Sequence, residues 1–251
     1  MTKVLQVLKF HRVACTCQVI LKTRSRNFFS TESMDNTDER VNAARHNSSH
    51  ILHEAKWLRL EEVAYSDENG KRRSWEMVAR TTRPKDCEID CVAIITILKR
   101  KGMGNHFVLV RQYRPPLRKY TIEFPAGLID PNESPEECAL RELAEETGYK
   151  GTVVSSNSSH NGSSNCISAL DPGTSNCLMQ TVQVEVDGNL SENTEPKKCV
   201  QDGERTEVLL ISVSDLQKQL HTFALNGDVI DSRVQALADG IDISRRINER
   251  N

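Results

Sequence analysis

From Lys56 onward the chain alternates apolar and polar positions in short runs, the two-residue period of strands with one face turned to a core. "KWLRLEEVAY" (56–65) and "RRSWEMVART" (72–81) carry that period. They are joined by "SDENGK", whose Asn69-Gly70 pair suits a tight hairpin turn. "CVAIITILKR" (91–100) is β-branched and almost continuously apolar, the pattern of a buried strand. "HFVLVRQYR" (106–114) follows a Gly-containing turn, and "YTIEFPAG" (120–127) is a short strand ending in Pro and Gly. A long helix is predicted from Ser134 to Gly148, then a short strand "GTVV" (151–154) and a long alternating strand "CLMQTVQVEV" (177–186). "ERTEVLLIS" (204–212) is a further strand, and 212–220 and 231–240 are helices. One helix among many strands, with helices at the end, predicts an α+β domain rather than alternating βαβ units.

The apolar pattern also sets the domain organisation. Residues 34–50 are polar and read as a linker, with His46, His50 and the nearby His53 as solvated side chains rather than metal ligands. The first hairpin forms a small β subdomain over 51–85, and the main domain runs from 86 to 245. "SSNSSHNGSSN" (155–165) is a low-complexity insert, and 187–203 is a polar loop. No internal repeat is visible. Residues 1–31 contain no Asp or Glu but carry Lys3, Lys9, Arg12, Lys22, Arg24 and Arg26, so 1–33 reads as a mitochondrial transit peptide. A disordered tail on a cytoplasmic or nuclear protein is the alternative.

Composition narrows the function classes. The chain has 251 residues and a formal net charge of −2, so it lacks the basic footprint of a nucleic-acid binder. No apolar run of about 18 residues is present to span a membrane. The eight cysteines form neither paired CxxC motifs nor a Cys/His array, and read as reduced thiols. Cys15 and Cys17 could bind a soft metal, but they lie in the leader.

Charge is concentrated in "GLIDPNESPEECALRELAEETGYKG" (127–151), which has six carboxylates between Glu133 and Glu146 and one cation, Arg141. Ser134 is the expected N-cap, Pro135 suits the first helical position, Glu137 closes a capping box and Gly148 stops the helix. Leu140, Leu143, Ala144 and Thr147 are expected to face the sheet. Arg141 is four residues from both Glu137 and Glu145 and is expected to pair with either. That leaves Glu142 and Glu146 as like charges at helical spacing, costing about 0.2–0.5 kcal/mol at a helix end whose dipole disfavours anions. A bound divalent cation makes such a cluster favourable, and Mg²⁺ is held by a few carboxylates plus substrate phosphates. The alternative is a solvated acidic face.

Gly127, Glu133 and the run Arg141-Glu142-Leu143-Ala144-Glu145-Glu146-Thr147-Gly148-Tyr149 stand at the spacing of the Nudix box, and the chain resembles the Nudix hydrolases. Tyr149 departs from the usual aliphatic residue at the last position. The resemblance implies an α/β/α sandwich around a mixed sheet, hydrolysing a nucleoside diphosphate linked to another group, with Mg²⁺ or Mn²⁺. Outside the box, "WEMVARTTR" (75–83), "VRQYRPP" (110–116), "IEFPAGLID" (122–130), "DPGTSNC" (171–177) and "QDGE" (201–204) resemble the animal ADP-sugar pyrophosphatases of this family, over roughly residues 50–240.

Position by position, the resemblance implies that the Ala126 carbonyl, Glu142 and Glu146 bind metal with Glu145 close by. Glu204 would be the general base or a metal-proximal carboxylate. Trp57 and Trp75 would sandwich adenine, one from each subunit of a homodimer, and Glu76 would hydrogen-bond the base. Arg80 and Arg114 would hold the phosphates and terminal ribose, and Leu128 and Asp171 would line the sugar pocket. Arg141 is expected to steady the carboxylates without touching substrate. The residues agree in part. The two tryptophans lie in one hairpin flanked by charges, and the planar fork of Arg114 suits phosphate. ADP-ribose would give AMP and ribose 5-phosphate. The alternatives are a Nudix enzyme for oxidised nucleoside diphosphates and a non-catalytic ADP-ribose sensor; the sensor is disfavoured because Glu142, Glu145 and Glu146 are all retained.

Overall fold

The strand-forming runs assemble into two sheets in the computed structural model, which describes residues 43–154, 167–198 and 206–249. The leader, the insert at 155–165, Glu204, Cys15 and Cys17 lie outside these residues. The first sheet is antiparallel and contains β1 (Arg45–Glu54), β2 (Leu58–Ser66) and β3 (Arg72–Arg80). Its β2–β3 hairpin turns at Gly70, with φ of 76°, where the Asp67 carboxylate accepts the N–H groups of Asn69 and Lys71 at 3.0 and 2.9 Å. The hairpin is therefore extended by a third strand. β1 starts at Arg45, inside the stretch whose polar composition suggested a linker. Every residue of β1 is exposed, so it leaves no hydrophobic alternation to detect.

The second sheet begins with β4 (Cys91–Arg100), β5 (Gly104–Arg114), β6 (Lys119–Glu123) and β7 (Ala126–Leu128). Pro125, which has no N–H to donate, separates β6 from β7, so the run 120–127 becomes two strands. Helix α1 (Pro135–Thr147) follows, then β8 (Thr152–Val153), β9 (Ile167–Ala169) and β10 (Leu178–Asp187). The short helix α2 (Ser191–Thr194), β11 (Thr206–Ser212), α3 (Leu216–Leu225), β12 (Val229–Ile230) and α4 (Ser232–Asn248) complete the described elements. The strand order is β12-β6-β5-β4-β10-β8, with β11 on β5, β7 on β4 and β9 on β10. The pairs β10–β4 and β12–β6 are parallel and the other pairs antiparallel, so the sheet is mixed.

Alternation along the central strands gives each face of this sheet its own core. Val92, Ile94 and Leu98 of β4 join Val108, Val182, Val184 and Val186 beneath α1. Cys91, Ala93, Phe107, Leu109 and Met179 pack on the opposite face against Leu216 and Leu220 of α3 and Val234 and Ala238 of α4. The result is the α/β/α sandwich with a mixed sheet that the resemblance implied.

Local signals set α1. Ser134 accepts the Glu137 N–H at 3.2 Å and the Glu137 carboxylate accepts the Ser134 N–H at 2.9 Å. Gly148 ends the helix in the left-handed region and donates to the Ala144 carbonyl at 2.9 Å. The buried seam differs from the expected one: Cys138, Ala139, Leu143 and Thr147 face the sheet, while Leu140 is exposed. Small side chains at 138 and 139 let the helix approach the sheet. The seam at 139, 143 and 147 places Glu142 and Glu146 beside it, towards β7. At the C-terminus α4 runs through Gly240, beyond the predicted helix 231–240, and Ile241 packs on the second core.

Candidate active site

The site is built where α1 lies along β7. β7 pairs with β4, with Ala126 opposite Ala93 and Gly127 opposite Val92. A Cβ placed on Gly127 would stand 1.8 Å from Cδ of Glu142. Only glycine leaves room for that carboxylate against the backbone. One turn further along, Oε2 of Glu146 accepts the Ala126 N–H at 3.1 Å. The two acids thus follow consecutive residues of one short strand.

Arg141 organises the acids around them. Its Nε and Nη2 fork Glu133 at 2.7 and 2.8 Å, its Nη1 reaches Glu142 at 2.7 Å and lies 3.5 Å from Glu145, and Nη2 also donates to the Leu128 carbonyl at 3.1 Å. Of the two pairings that helical spacing offered, the one with Glu145 is present and the one with Glu137 is not. Glu137 is engaged in the capping box, and the strongest bonds of Arg141 go to Glu133 and to its chain neighbour Glu142. The Arg141 guanidinium, hydrogen-bonded to Glu133, holds that carboxyl down at about 2. Glu133 in turn is the main reason Arg141 is held more firmly charged than usual.

A second contact ties this helix end to β11. The Thr206 hydroxyl donates to the Glu146 carbonyl at 3.0 Å, and the Lys198 ammonium donates to the Thr206 carbonyl. Burial pushes the Lys198 ammonium down, and the charges of Glu146 and Glu207 oppose that shift. Lys198 and Thr206 flank the segment that carries Glu204, which is outside the described residues.

The donor set suits a hard divalent cation. Among the described residues no three His, Cys, Asp or Glu side chains converge on one point. The candidate oxygens are those of Glu142, Glu146 and neighbouring Glu145, together with the Ala126 carbonyl. Mg²⁺ accepts such a sparse set because it completes its shell with water and phosphate oxygens.

The residues expected to contact substrate form two further groups. Trp57 and Trp75 are 59% and 53% exposed. Lys56 lies over the Trp57 ring at 4.4 Å, and Trp75 Nε1 donates to the Gly173 carbonyl at 2.9 Å. Gly173 belongs to the turn that Asp171 opens, where the Asp171 carbonyl accepts the N–H groups of Thr174 and Ser175 at 3.1 and 2.9 Å. Glu76 is exposed on β3 opposite Glu62, and half-buried Arg80 ends that strand. The Thr81 N–H donates to the Trp57 carbonyl at 3.2 Å, which joins the start of β2 to the end of β3. Leu128 is half-buried on β7 opposite Cys91.

Arg114 ends β5 and forks Glu123 at 2.7 Å through both Nε and Nη2. Burial works against the Glu123 charge, but the bonds from Arg114 and Thr121 hold its carboxyl below the usual range. A cavity of about 410 Å³ opens beside this pair, lined also by Pro116, Leu117, Asp231 and Ser232. Sequence reasoning did not single out Glu123, although a carboxylate in the strand "YTIEF" was the available signal. It also gave Lys198 no role, because that contact depends on tertiary packing.

Comparison with known proteins gives these arrangements a context. A NUDIX domain model matches residues 90–229. An ADP-sugar pyrophosphatase of Mus musculus is 40% identical over 192 residues, covering 75% of this chain and 83% of the mouse chain. An ADP-ribose pyrophosphatase of Saccharomyces cerevisiae is 35% identical over 231 residues, covering 90% and 95%. A crystal structure of an ADP compounds hydrolase aligns with a TM-score of 0.51 at 21% identity, over 73% of this chain and 86% of that one, and shows the fold.

Two outcomes are expected from this geometry. Gly127→Ala should displace the Glu142 carboxylate and weaken divalent-cation binding by about 10- to 100-fold, read by titration calorimetry with Mn²⁺; unchanged affinity would remove Glu142 from the cation site. The Glu133 carboxyl lies below its ordinary 4.5 when folded. Its stabilising contribution is therefore complete above that value and is lost as pH falls towards about 2. Glu133→Gln should melt lower than wild type near neutral pH and lose less stability on acidification. Parallel melting curves for the two proteins across the acid range would count against the Arg141 fork.

Proposed function

The chain belongs to the Nudix hydrolase family, and from that membership we propose that it hydrolyses the diphosphate of ADP-ribose and related ADP-sugars to AMP and a sugar phosphate. The observation that carries the reading is the pair of carboxylates along β7, Glu142 against Gly127 and Glu146 on the Ala126 N–H. The names of the mouse and yeast relatives support the substrate class.

In this reading Glu142, Glu146 and the Ala126 carbonyl hold Mg²⁺ or Mn²⁺, with Glu145 alongside. When bound, the cation supplies charge neutralisation at the diphosphate and makes water a better nucleophile. The protein's own groups do the rest. Arg141 keeps the acids aligned through its bonds to Glu133 and Glu142. Arg80 and Arg114 fork phosphate and ribose oxygens; Arg114 exchanges part of its Glu123 contact for substrate. Glu204 takes the proton from the attacking water, one P–O bond of the diphosphate breaks, and the two phosphate monoesters leave. Positioning and charge carry most of phosphoryl chemistry. Trp57 and Trp75 stack on adenine, Glu76 hydrogen-bonds its edge, and Leu128 and Asp171 bound the sugar.

The exposed apolar side chains of the three-stranded sheet, Ile51, Leu52, Leu58 and Leu60 beside the two tryptophans, support a homodimer in which each subunit contributes one tryptophan to a site. Light scattering should then give the mass of two 28.3 kDa chains; a monomer at assay concentration would remove the shared site. Incubation with ADP-ribose and Mg²⁺ should yield AMP and ribose 5-phosphate, and Glu146→Gln should abolish turnover while leaving the melting curve in place. Near-normal turnover in that variant would sink the metal assignment. Faster hydrolysis of an 8-oxo-purine diphosphate than of ADP-ribose or ADP-glucose would move the substrate to oxidised nucleotides.

A further inference from the structure

The cavity beside Arg114 opens on the face of the sheet that looks towards α1. Thr206 of β11 pairs with Gln112 of β5, Gln112 with Thr121 of β6, and Thr121 with Val229 of β12. Residues paired across strands turn their side chains to one face, so Thr206, Thr121 and Val229 point the same way. That way is towards α1, because the Thr206 hydroxyl donates to the Glu146 carbonyl at 3.0 Å. Glu123 stands two residues after Thr121 on the same strand and shares its face. Thr121 and Glu123 both line the cavity. Two strand spacings separate Thr121 from Thr206, a distance of about 10 Å. A sugar joined to a diphosphate held near Glu146 spans a distance of that order.

The lining suits a sugar. Glu123, Asp231 and Ser232 supply oxygens, and Leu117, Val229 and Ile230 supply an apolar wall. A sugar offers the matching surfaces, hydroxyls around its rim and C–H groups on its ring faces. Glu123 is buried, and its carboxylate is fixed by Arg114 Nε and Nη2 at 2.7 Å each and by the Thr121 hydroxyl. A carboxylate has about four lone-pair sites, so Glu123 can accept a further hydroxyl. Burial works against its charge, but those bonds keep the carboxyl below the usual range, and it stays an acceptor at neutral pH.

Strand pairing brings the second carboxylate alongside. The Asp231 N–H donates to the Ile122 carbonyl at 3.0 Å, next to Glu123. Asp231 forks Arg233 through Nε and Nη2, both at 2.7 Å, and caps α4 by accepting the Arg233 N–H at 2.9 Å. The cap presents Ser232, which is exposed, at the first turn of that helix. Two carboxylates lining one cavity disfavour a phosphate inside it. A neutral polyol meets no such barrier.

We infer that this cavity is the subsite for the sugar beyond the diphosphate, with Glu123 and Asp231 accepting its hydroxyls, Ser232 beside them, and the apolar wall against its ring. Leu128 and Asp171 border the sugar next to the diphosphate, and the cavity takes its far end. Arg114 stands between the two, held by Glu123 on the cavity side. The inference rests on the ADP-sugar reading given above. A nucleoside diphosphate without a second sugar makes no use of the cavity.

The test uses the full chain with Mg²⁺ and the two halves of ADP-ribose, ribose 5-phosphate and AMP, as separate probes. Saturation-transfer NMR should show both bound to the wild-type protein. Ser232→Trp, a bulky substitution at an exposed lining position, should remove the ribose 5-phosphate signal and keep that of AMP. In steady-state assays the same variant should raise the KM for ADP-ribose roughly tenfold, the scale of one hydrogen bond to a charged group, with a much smaller change in kcat. If it fails to fold, Leu117→Trp fills the cavity from another exposed lining position. A ribose 5-phosphate signal that is absent from wild type, or undiminished in a folded variant, overturns the proposal. Loss of the AMP signal in place of ribose 5-phosphate also overturns it, because the cavity would then hold the nucleoside half. Cavity-dependent binding of ribose 5-phosphate by a protein that does not hydrolyse ADP-ribose would uphold the subsite and refute the hydrolase reading. Hydrolysis with an unaltered KM in both variants would refute the subsite alone.

Discussion

Everything in this site depends on one close approach, the Glu142 carboxylate lying against the backbone of β7 at Gly127. A carboxylate pressed onto a strand is unfavourable unless something fixes its charge and direction. Arg141 does both from the same helix. It forks Glu133 on one side, reaches Glu142 on the other and closes on the Leu128 carbonyl of the strand itself. Helix and strand are therefore docked by charge as well as by the apolar seam of Ala139 and Leu143. The cap at Ser134 and the stop at Gly148 set where the helix begins and ends, and so which residues meet the strand.

Much of this arrangement was legible because it is local. Capping residues, the Asn69-Gly70 turn and the spacing from Gly127 to Gly148 act within a few residues of themselves. Misreadings arose where tertiary contact outweighed side-chain character. Leu140 looked like a core residue by its hydrophobicity, yet the close approach of α1 to the sheet favours the smaller Cys138 and Ala139 at the contact. β1 has no buried face and gave no period to find. Glu123 is buried with its charge paired to Arg114 of the neighbouring strand, a contact that a linear pattern does not reveal. The Lys198–Thr206 bond joins residues on either side of a segment whose path is not part of the pattern at all.

The described groups also differ in how they are held. Arg141 and its acids are fixed by several bonds between α1, β7 and the turn that joins them. Arg114 forks the Glu123 carboxylate beside an open cavity. Trp57 and Trp75 are largely uncovered, and Trp75 is moored through one backbone carbonyl. In the proposed reading, the densely bonded acids lie where the reaction needs aligned charge, and the exposed tryptophans lie where a bulky ligand would enter. The division follows the preference for catalytic groups on well-supported elements.

The strand pairing around the Ser/Asn-rich insert has a separate consequence. β8 and β9, which bracket residues 155–165, both pair with β10, Val153 opposite Val184 and Ile167 opposite Gln180. The chain leaves β10 and returns to it about 13 Å away. Both anchor points belong to a strand already secured by its pairing with β4. Lengthening such an excursion costs only about 0.6 kcal/mol per doubling. This makes the position a permissive graft point, where evolution or an engineer can splice in foreign sequence while the scaffold beneath keeps its register.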